Sequence, residues 1–119
     1  MAELTGVHTG PLRPGERVTL TDPKGRRHSV LLVPGGTFHT TRGAIRHDDL
    51  IEAPDGTVVT SAGGMAYVAF RPLLEEWTVS MPRGAAVIYP KDAAAILMQA
   101  GVFPGARVLE AGVGSGALT

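Results

Sequence analysis

Up to Pro72 the apolar positions come in short bursts separated by turn formers, a pattern of strands rather than helices. Arg17-Val18-Thr19-Leu20-Thr21 alternates apolar and polar positions. Asp22-Pro23-Lys24-Gly25 then supplies a tight turn, in which proline presets one dihedral and glycine accepts a positive φ. A second strand is expected over 26–33, with Val30-Leu31-Leu32-Val33 as its buried end and Pro34-Gly35-Gly36 as its stop. Further strands are expected over 37–41, 44–51, 58–60 and 65–70, with Ala53-Pro54-Asp55-Gly56-Thr57 as a turn and Arg71-Pro72 as the close. Strands at this short spacing, with no long helix between them, predict a small antiparallel sheet or barrel.

After Pro72 the pattern changes. A short helix is expected over 73–79 with Trp77 facing inward, broken by Met81-Pro82-Arg83-Gly84. Val87-Ile88-Tyr89 should be extended, because the residue before Pro90 is steered away from helix. Asp92 is expected to cap a helix running to Ala100, with Gly101 as its left-handed end and Pro104 preventing continuation. Residues 107–110 read as a buried strand leading into Ala111-Gly112-Val113-Gly114-Ser115-Gly116-Ala117-Leu118-Thr119. A strand and glycine turn of this kind normally open a helix that returns to a second parallel strand, a unit of about 30 residues. The chain therefore reads as the front piece of a longer protein of α+β class: a small antiparallel β domain over 1–72, then a linker helix and the truncated start of a second domain over 73–119.

Composition narrows the chemistry. The 119 residues contain no cysteine, which excludes a disulfide scaffold, a thiolate zinc site and a cysteine nucleophile, and fits a reducing cytoplasm. No apolar run reaches the roughly 18 residues needed to cross a bilayer, and Met1-Ala2-Glu3-Leu4-Thr5-Gly6 has neither the basic flank nor the apolar core of a leader. Eleven basic side chains balance eleven acidic ones, yet Arg13, Arg17, Lys24, Arg26, Arg27, Arg42 and Arg46 fall in one stretch with only Glu16 and Asp22 against them. That stretch is either a solvated β surface or an electrostatic footprint for RNA. His8, His28, His39 and His47 show no ligand spacing, so no metal site is expected, and no serine sits in a nucleophile elbow.

The glycine loop carries the strongest signal. Without a Cβ at Gly112, Gly114 and Gly116 the backbone can turn sharply and come close to a ligand, while the amides opening the next helix offer donors. Gly112, Gly114 and Ala117 also satisfy the dinucleotide pattern, so the glycines alone leave a nicotinamide oxidoreductase open. With Glu110 two residues before the first glycine, Val108-Leu109-Glu110-Ala111-Gly112-Val113-Gly114-Ser115-Gly116 resembles motif I of the class I S-adenosylmethionine-dependent methyltransferases. Upstream, Met81-Pro82-Arg83-Gly84, Ile88-Tyr89-Pro90-Lys91-Asp92-Ala93-Ala94 and Pro104-Gly105 form landmarks similar to the tRNA (adenine-58-N1)-methyltransferases of bacterial and archaeal type. Gly63-Gly64 through Arg71-Pro72 resembles the end of that family's N-terminal β domain. Pro82 departs from the basic or polar residue usual there.

The resemblance implies a Rossmann-like catalytic domain, transfer of a methyl group from S-adenosyl-L-methionine to N1 of adenine 58 in the tRNA T-loop, and a cytoplasmic homotetramer without metal or membrane. It implies cofactor contacts at Glu110, Gly112, Gly114, Ser115, Gly116, Ala117 and Leu118, with Val87, Ile88 and Tyr89 lining the cofactor. The family's catalytic aspartate is expected downstream of Thr119. Tyr89 and Lys91 as substrate contacts compete with Tyr89 as packing and Lys91 as a solvated helix start; for Trp77 and Phe70, core burial is expected over stacking on a base. On this reading the 119 residues alone are catalytically silent, and Val87, Ile88, Ile96, Leu97, Val108 and Leu109 expose apolar surface. The competing reading is a stand-alone β module for RNA binding or oligomerisation.

Overall fold

The structure, a computed structural model, describes residues 9–119. His8 and the first residues of the chain lie outside the described part. Two compact units divide at Pro72 and Leu73, and the chain is α+β.

The first unit contains β1 (Arg17–Thr21), β2 (Arg27–Leu31), β3 (Thr37–Thr40), β4 (Gly43–Arg46), β5 (Val58–Thr60) and β6 (Ala66–Phe70). Four of them form an antiparallel sheet in the order β2-β1-β6-β5, and β3 pairs with β4 in a second sheet. The register places Val18 opposite Val30, and Leu20 opposite both His28 and Ala69. Side chains alternate across a strand, so these positions share the inner face. There Leu12, Val18, Leu20, Val30, Leu32, Ile45, Leu50, Tyr67 and Ala69 form the buried core. Fully burying one such leucine is worth about 2 kcal/mol, so the cluster is the main source of the unit's stability.

The turn after β1 forms as its sequence dictates: the Gly25 amide donates to the Asp22 carbonyl at 2.9 Å with Gly25 at φ 82°. The strand expected over 26–33 is shorter, because Arg26 turns to Asp22, donating from Nε to Oδ2 at 2.8 Å. Its end is not a buried run: Val30 and Leu32 face the core, whereas Leu31 and Val33 face outward. The strand expected over 44–51 stops at Arg46 and gives way to a 3-10 turn (His47–Asp49). The cause is local: the His47 carbonyl accepts the amides of Leu50 and Ile51, and Asp48 Oδ1 accepts the Gly35 amide. The buried His47 ring in turn accepts the Val33 amide on Nδ1 at 3.0 Å.

Two contacts distant in sequence close this unit. The Ser61 hydroxyl donates to the Arg42 carbonyl at 2.6 Å, and the Gly63 amide donates to the same carbonyl at 2.8 Å, tying the β5–β6 turn to the β3–β4 turn. Arg71 grips Glu16 through Nε and Nη2 at 3.2 and 3.1 Å, and its guanidinium also donates to the carbonyls of Gly10 and Pro11. A forked guanidinium can bind a carboxylate and backbone oxygens together, which fixes the two ends of the unit to each other.

The second unit contains α1 (Leu74–Ser80) and α2 (Pro90–Gln99). Glu76 caps α1 by accepting the Leu73 amide on Oε2 at 2.8 Å. Helix α2 begins at Pro90, two residues before the expected start, so Asp92 is not its cap. Proline at the first helical position lacks an amide that would be unpaired there anyway, and the extended Tyr89 precedes it. The helix ends as expected: Gly101, at φ 69°, donates to Met98 and the Val102 amide donates to Leu97, the paired bonds of a Schellman ending. Residues 107–110 form no regular element and pair with no strand among the described residues, and Leu109 is 96% exposed, so the expected buried strand is not formed. A strand needs a neighbour for its backbone groups. Trp77 and Phe70 are likewise about half exposed rather than buried. No helix among the described residues is long and apolar enough to cross a membrane.

Candidate cofactor site

The glycine loop follows residues 107–110 directly. Gly112, Gly114 and Gly116 all take positive φ, at 74°, 58° and 78°. Side chains other than glycine are strained there, so the residue choice at these positions is explained by the backbone path. A Cβ added at Gly112 or Gly114 would meet nothing within 4 Å, so it is conformation rather than crowding inside this chain that requires glycine. The Gly116 amide donates to the Val113 carbonyl at 2.9 Å and the Thr119 amide to the Gly116 carbonyl at 3.2 Å, two consecutive turns. Ser115, Gly116, Ala117 and Leu118 are half-buried, whereas Glu110 is exposed.

One side-chain bond spans the loop. Thr119 Oγ1 donates to Glu110 Oε1 at 2.8 Å. Thr119 lies outside the glycine pattern that marks this loop; its signal in the sequence is no more than a hydroxyl residue three positions after Gly116. Glu110 makes no other hydrogen bond or ion pair among the described residues, so Oε2 remains open to a ligand.

The remaining candidates are spread along the unit. Val87 is half-buried, Ile88 and Tyr89 are exposed, and the Tyr89 carbonyl accepts the amides of Asp92 and Ala93 at the start of α2. Lys91 donates from Nζ to both oxygens of Asp92, an exposed pair that fits a solvated helix start. No hydrogen bond links Val87, Ile88 or Tyr89 to the loop among the described residues. A wide depression of about 510 Å³ near the end of α2 is lined by Phe103, Ala106, Val108 and Leu109 among others, and by none of the loop residues.

Several basic side chains of the first unit are engaged in local contacts. Arg17 and Arg27 stand on the outer face of the four-stranded sheet, with Arg17 Nη1 donating to Ser29, while Arg26 pairs with Asp22 and Arg46 with Asp49. The described histidines do not gather: His28, His39 and His47 lie on β2, β3 and the 3-10 turn, with no group of three metal-binding side chains among the described residues.

Two family models cover nearly all of the described residues. Residues 10–59 match "TrmI-like N-terminal" and residues 64–119 match "tRNA methyltransferase complex GCD14 subunit". The tRNA (adenine(58)-N(1))-methyltransferase TrmI of Thermus thermophilus is 46% identical over 100 residues, covering 84% of this chain and 39% of that protein. This chain belongs to the tRNA (adenine-58-N1)-methyltransferase family. A second relative is the catalytic subunit TRM61 of Cryptococcus neoformans, 36% identical over 108 residues, covering 88% of this chain and 25% of that protein. Among solved structures, the tRNA (m1A58) methyltransferase TrmI of Aquifex aeolicus superposes with a TM-score of 0.75 at 29% identity, over 92% of this chain and 42% of that one. A protein of Thermotoga maritima described as an S-adenosylmethionine-dependent O-methyltransferase superposes with a TM-score of 0.80 at 32% identity, over 90% of this chain and 40% of that one. The chain thus spans about two-fifths of the length of the bacterial family members it matches.

Proposed function

We propose that this chain is the N-terminal β domain and the opening of the catalytic domain of an S-adenosylmethionine-dependent tRNA (adenine-58-N1)-methyltransferase, the boundary lying at 72/73. The observation that carries the reading is the loop itself: three glycines at positive φ beside an open carboxylate, within a segment matched to the family's methyltransferase model. The donor set suits a ligand with cationic and hydroxyl groups. Glu110 Oε2 accepts, Ser115 contributes a hydroxyl, and the closely turned backbone admits the ligand against it. Ala117 and Leu118 continue the wall, and Val87, Ile88 and Tyr89 supply apolar cover. S-adenosylmethionine, when bound, supplies an electrophilic methyl on sulfonium, so the protein's own work is to place acceptor and donor in line. The proton leaving the adenine amine requires a carboxylate, which we assign to an aspartate outside these residues. In this reading the complete protein is a cytoplasmic homotetramer acting on tRNA.

The two readings differ in what the 119 residues do alone. Calorimetry with S-adenosylmethionine should give no binding to the 119-residue chain, whereas the gene product carrying the complete catalytic domain should bind it and methylate adenine 58 of tRNA. Saturable binding by the 119 residues alone would overturn their expected silence, whereas a complete product that leaves adenine 58 untouched would falsify the proposal. The alternative, a self-sufficient β module that binds RNA or oligomerises, is favoured by the closed core of the first unit, and predicts RNA retention or self-association by residues 1–72 without the loop.

A further inference from the structure

Glu110 and Thr119 are nine residues apart, both exposed, and joined only by the bond from Thr119 Oγ1 to Glu110 Oε1 at 2.8 Å. We propose that Thr119 is a positioning residue of the cofactor site: its hydroxyl holds one carboxylate oxygen of Glu110 so that the other is presented to the ligand. The proposal rests on the reading that this loop binds S-adenosylmethionine.

Three features of the chain carry it. First, a glutamate side chain has several free torsions, and ordering it on binding costs affinity; a carboxylate already held by one oxygen has less freedom to lose. Second, an O–H···O⁻ bond is among the stronger neutral-to-charged contacts, and among the described residues no cation or amide competes for Glu110. Third, the backbone beneath the donor is fixed. The bonds from Thr119 N to Gly116 O and from Gly116 N to Val113 O set the direction of the Thr119 Cα–Cβ bond, and a β-branched residue has few χ1 choices once that direction is set. The glycines shape the loop, and the threonine aims the acid beside it. Serine would keep the donor with more torsional freedom, and valine would keep the shape without the donor.

The test combines two measurements. In the 119-residue chain, the Glu110 carboxyl ¹³C resonance should move in Thr119→Val and return toward its original position in Thr119→Ser; no movement in Thr119→Val means the contact is absent in solution and overturns the proposal. In the full-length protein, Thr119→Val should weaken S-adenosylmethionine binding by about tenfold, with Thr119→Ser close to wild type. In a Glu110→Ala background the same Thr119→Val change should have almost no further effect, because its partner is gone. A wild-type protein that binds while Thr119→Val binds equally well, or whose loss on Thr119→Val persists undiminished without Glu110, would overturn the positioning role alone. A full-length wild type that binds no S-adenosylmethionine would instead overturn the reading of the loop, and this proposal with it.

Discussion

The second unit is the more apolar of the two by sequence, yet the first is the one that buries its apolar side chains. Every member of the buried core lies between Leu12 and Ala69, while among residues 73–119 only Thr78 is buried. The difference is one of layers. In the first unit the sheets supply an inner face on which Leu20, Leu32, Ile45 and Tyr67 converge. The second offers two short helices and no strand among residues 73–119, so Ile96, Leu97, Val108 and Leu109 stay open. Hydrophobic content does not make a core without a second surface to bury it against. The proposed function requires such openness, because a segment that opens a Rossmann-like domain meets its partners in the rest of that domain.

The sharpest way to break this comparison is to truncate one leucine in each unit. Leu20→Ala removes a side chain with no exposure, and should cost about 2–5 kcal/mol of the first unit's stability. Leu97→Ala, at 40% exposure, should cost less than about 1 kcal/mol. Urea titrations followed by circular dichroism, with the single tryptophan Trp77 reporting on the second unit, distinguish the two. Equal losses would mean that the second unit has a core after all.

Glycines extend the same contrast at a smaller scale. A Cβ on Gly63 would stand 2.7 Å from the Arg42 carbonyl carbon and closer still to its oxygen, both backbone atoms that cannot swing aside. Gly63→Ala should therefore lower the first unit's stability by about 3 kcal/mol, the upper end of ordinary overpacking. Gly112→Ala meets no atom and is opposed only by its φ of 74°, a cost of about 1–2 kcal/mol confined to the loop. The expected record is a lowered thermal midpoint for Gly63→Ala, and for Gly112→Ala an unchanged midpoint with shifted Gly114 and Gly116 amide resonances. A fall in the first unit's midpoint on Gly112→Ala would show that the loop is not an independent element.

What the sequence makes legible follows the range of the cause. The Asp22–Gly25 turn and the Gly101 helix end are decided by residues within a few positions, and both form as read. The positive φ values of Gly112, Gly114 and Gly116 likewise needed only the glycines themselves. Burial is a property of what arrives from elsewhere, and it defeats local reading: Phe70 and Trp77 are exposed, and the run from Val30 to Val33 alternates instead of sinking whole. The grip of Arg71 on Glu16 spans 55 residues and leaves no pattern in the chain. At the candidate site the loop was legible and its brace was not, because a threonine after a glycine turn is equally a helix-start residue until its hydroxyl is seen to reach Glu110.

The smallest effect expected is acid-dependent and belongs to the unit that closes. Asp22 has a side chain only 1% exposed, at the turn between β1 and β2. Its burial is the largest single influence and pushes the carboxyl's pKa up, but the Arg26 amide, the Arg26 side chain and the Lys24 amide together outweigh it, leaving the group below its ordinary value of 3.8. His28 is the other titratable group facing it, with Nε2 4.0 Å from Oδ2. A carboxylate whose folded-state pKa is depressed contributes stability that is fully present above the unfolded value, and that stability is lost as pH falls through the folded value. Asp22→Asn keeps a carbonyl oxygen for the Lys24 and Arg26 amides and surrenders only the charged contact with the Arg26 side chain. The variant should therefore be slightly less stable near neutrality and lose less on acidification, so that its urea midpoints converge on those of wild type below about pH 4. Curves that stay parallel from neutrality into acid would remove the charge on Asp22 from the account of this turn, and leave the hairpin to its proline, its glycine and its backbone hydrogen bonds.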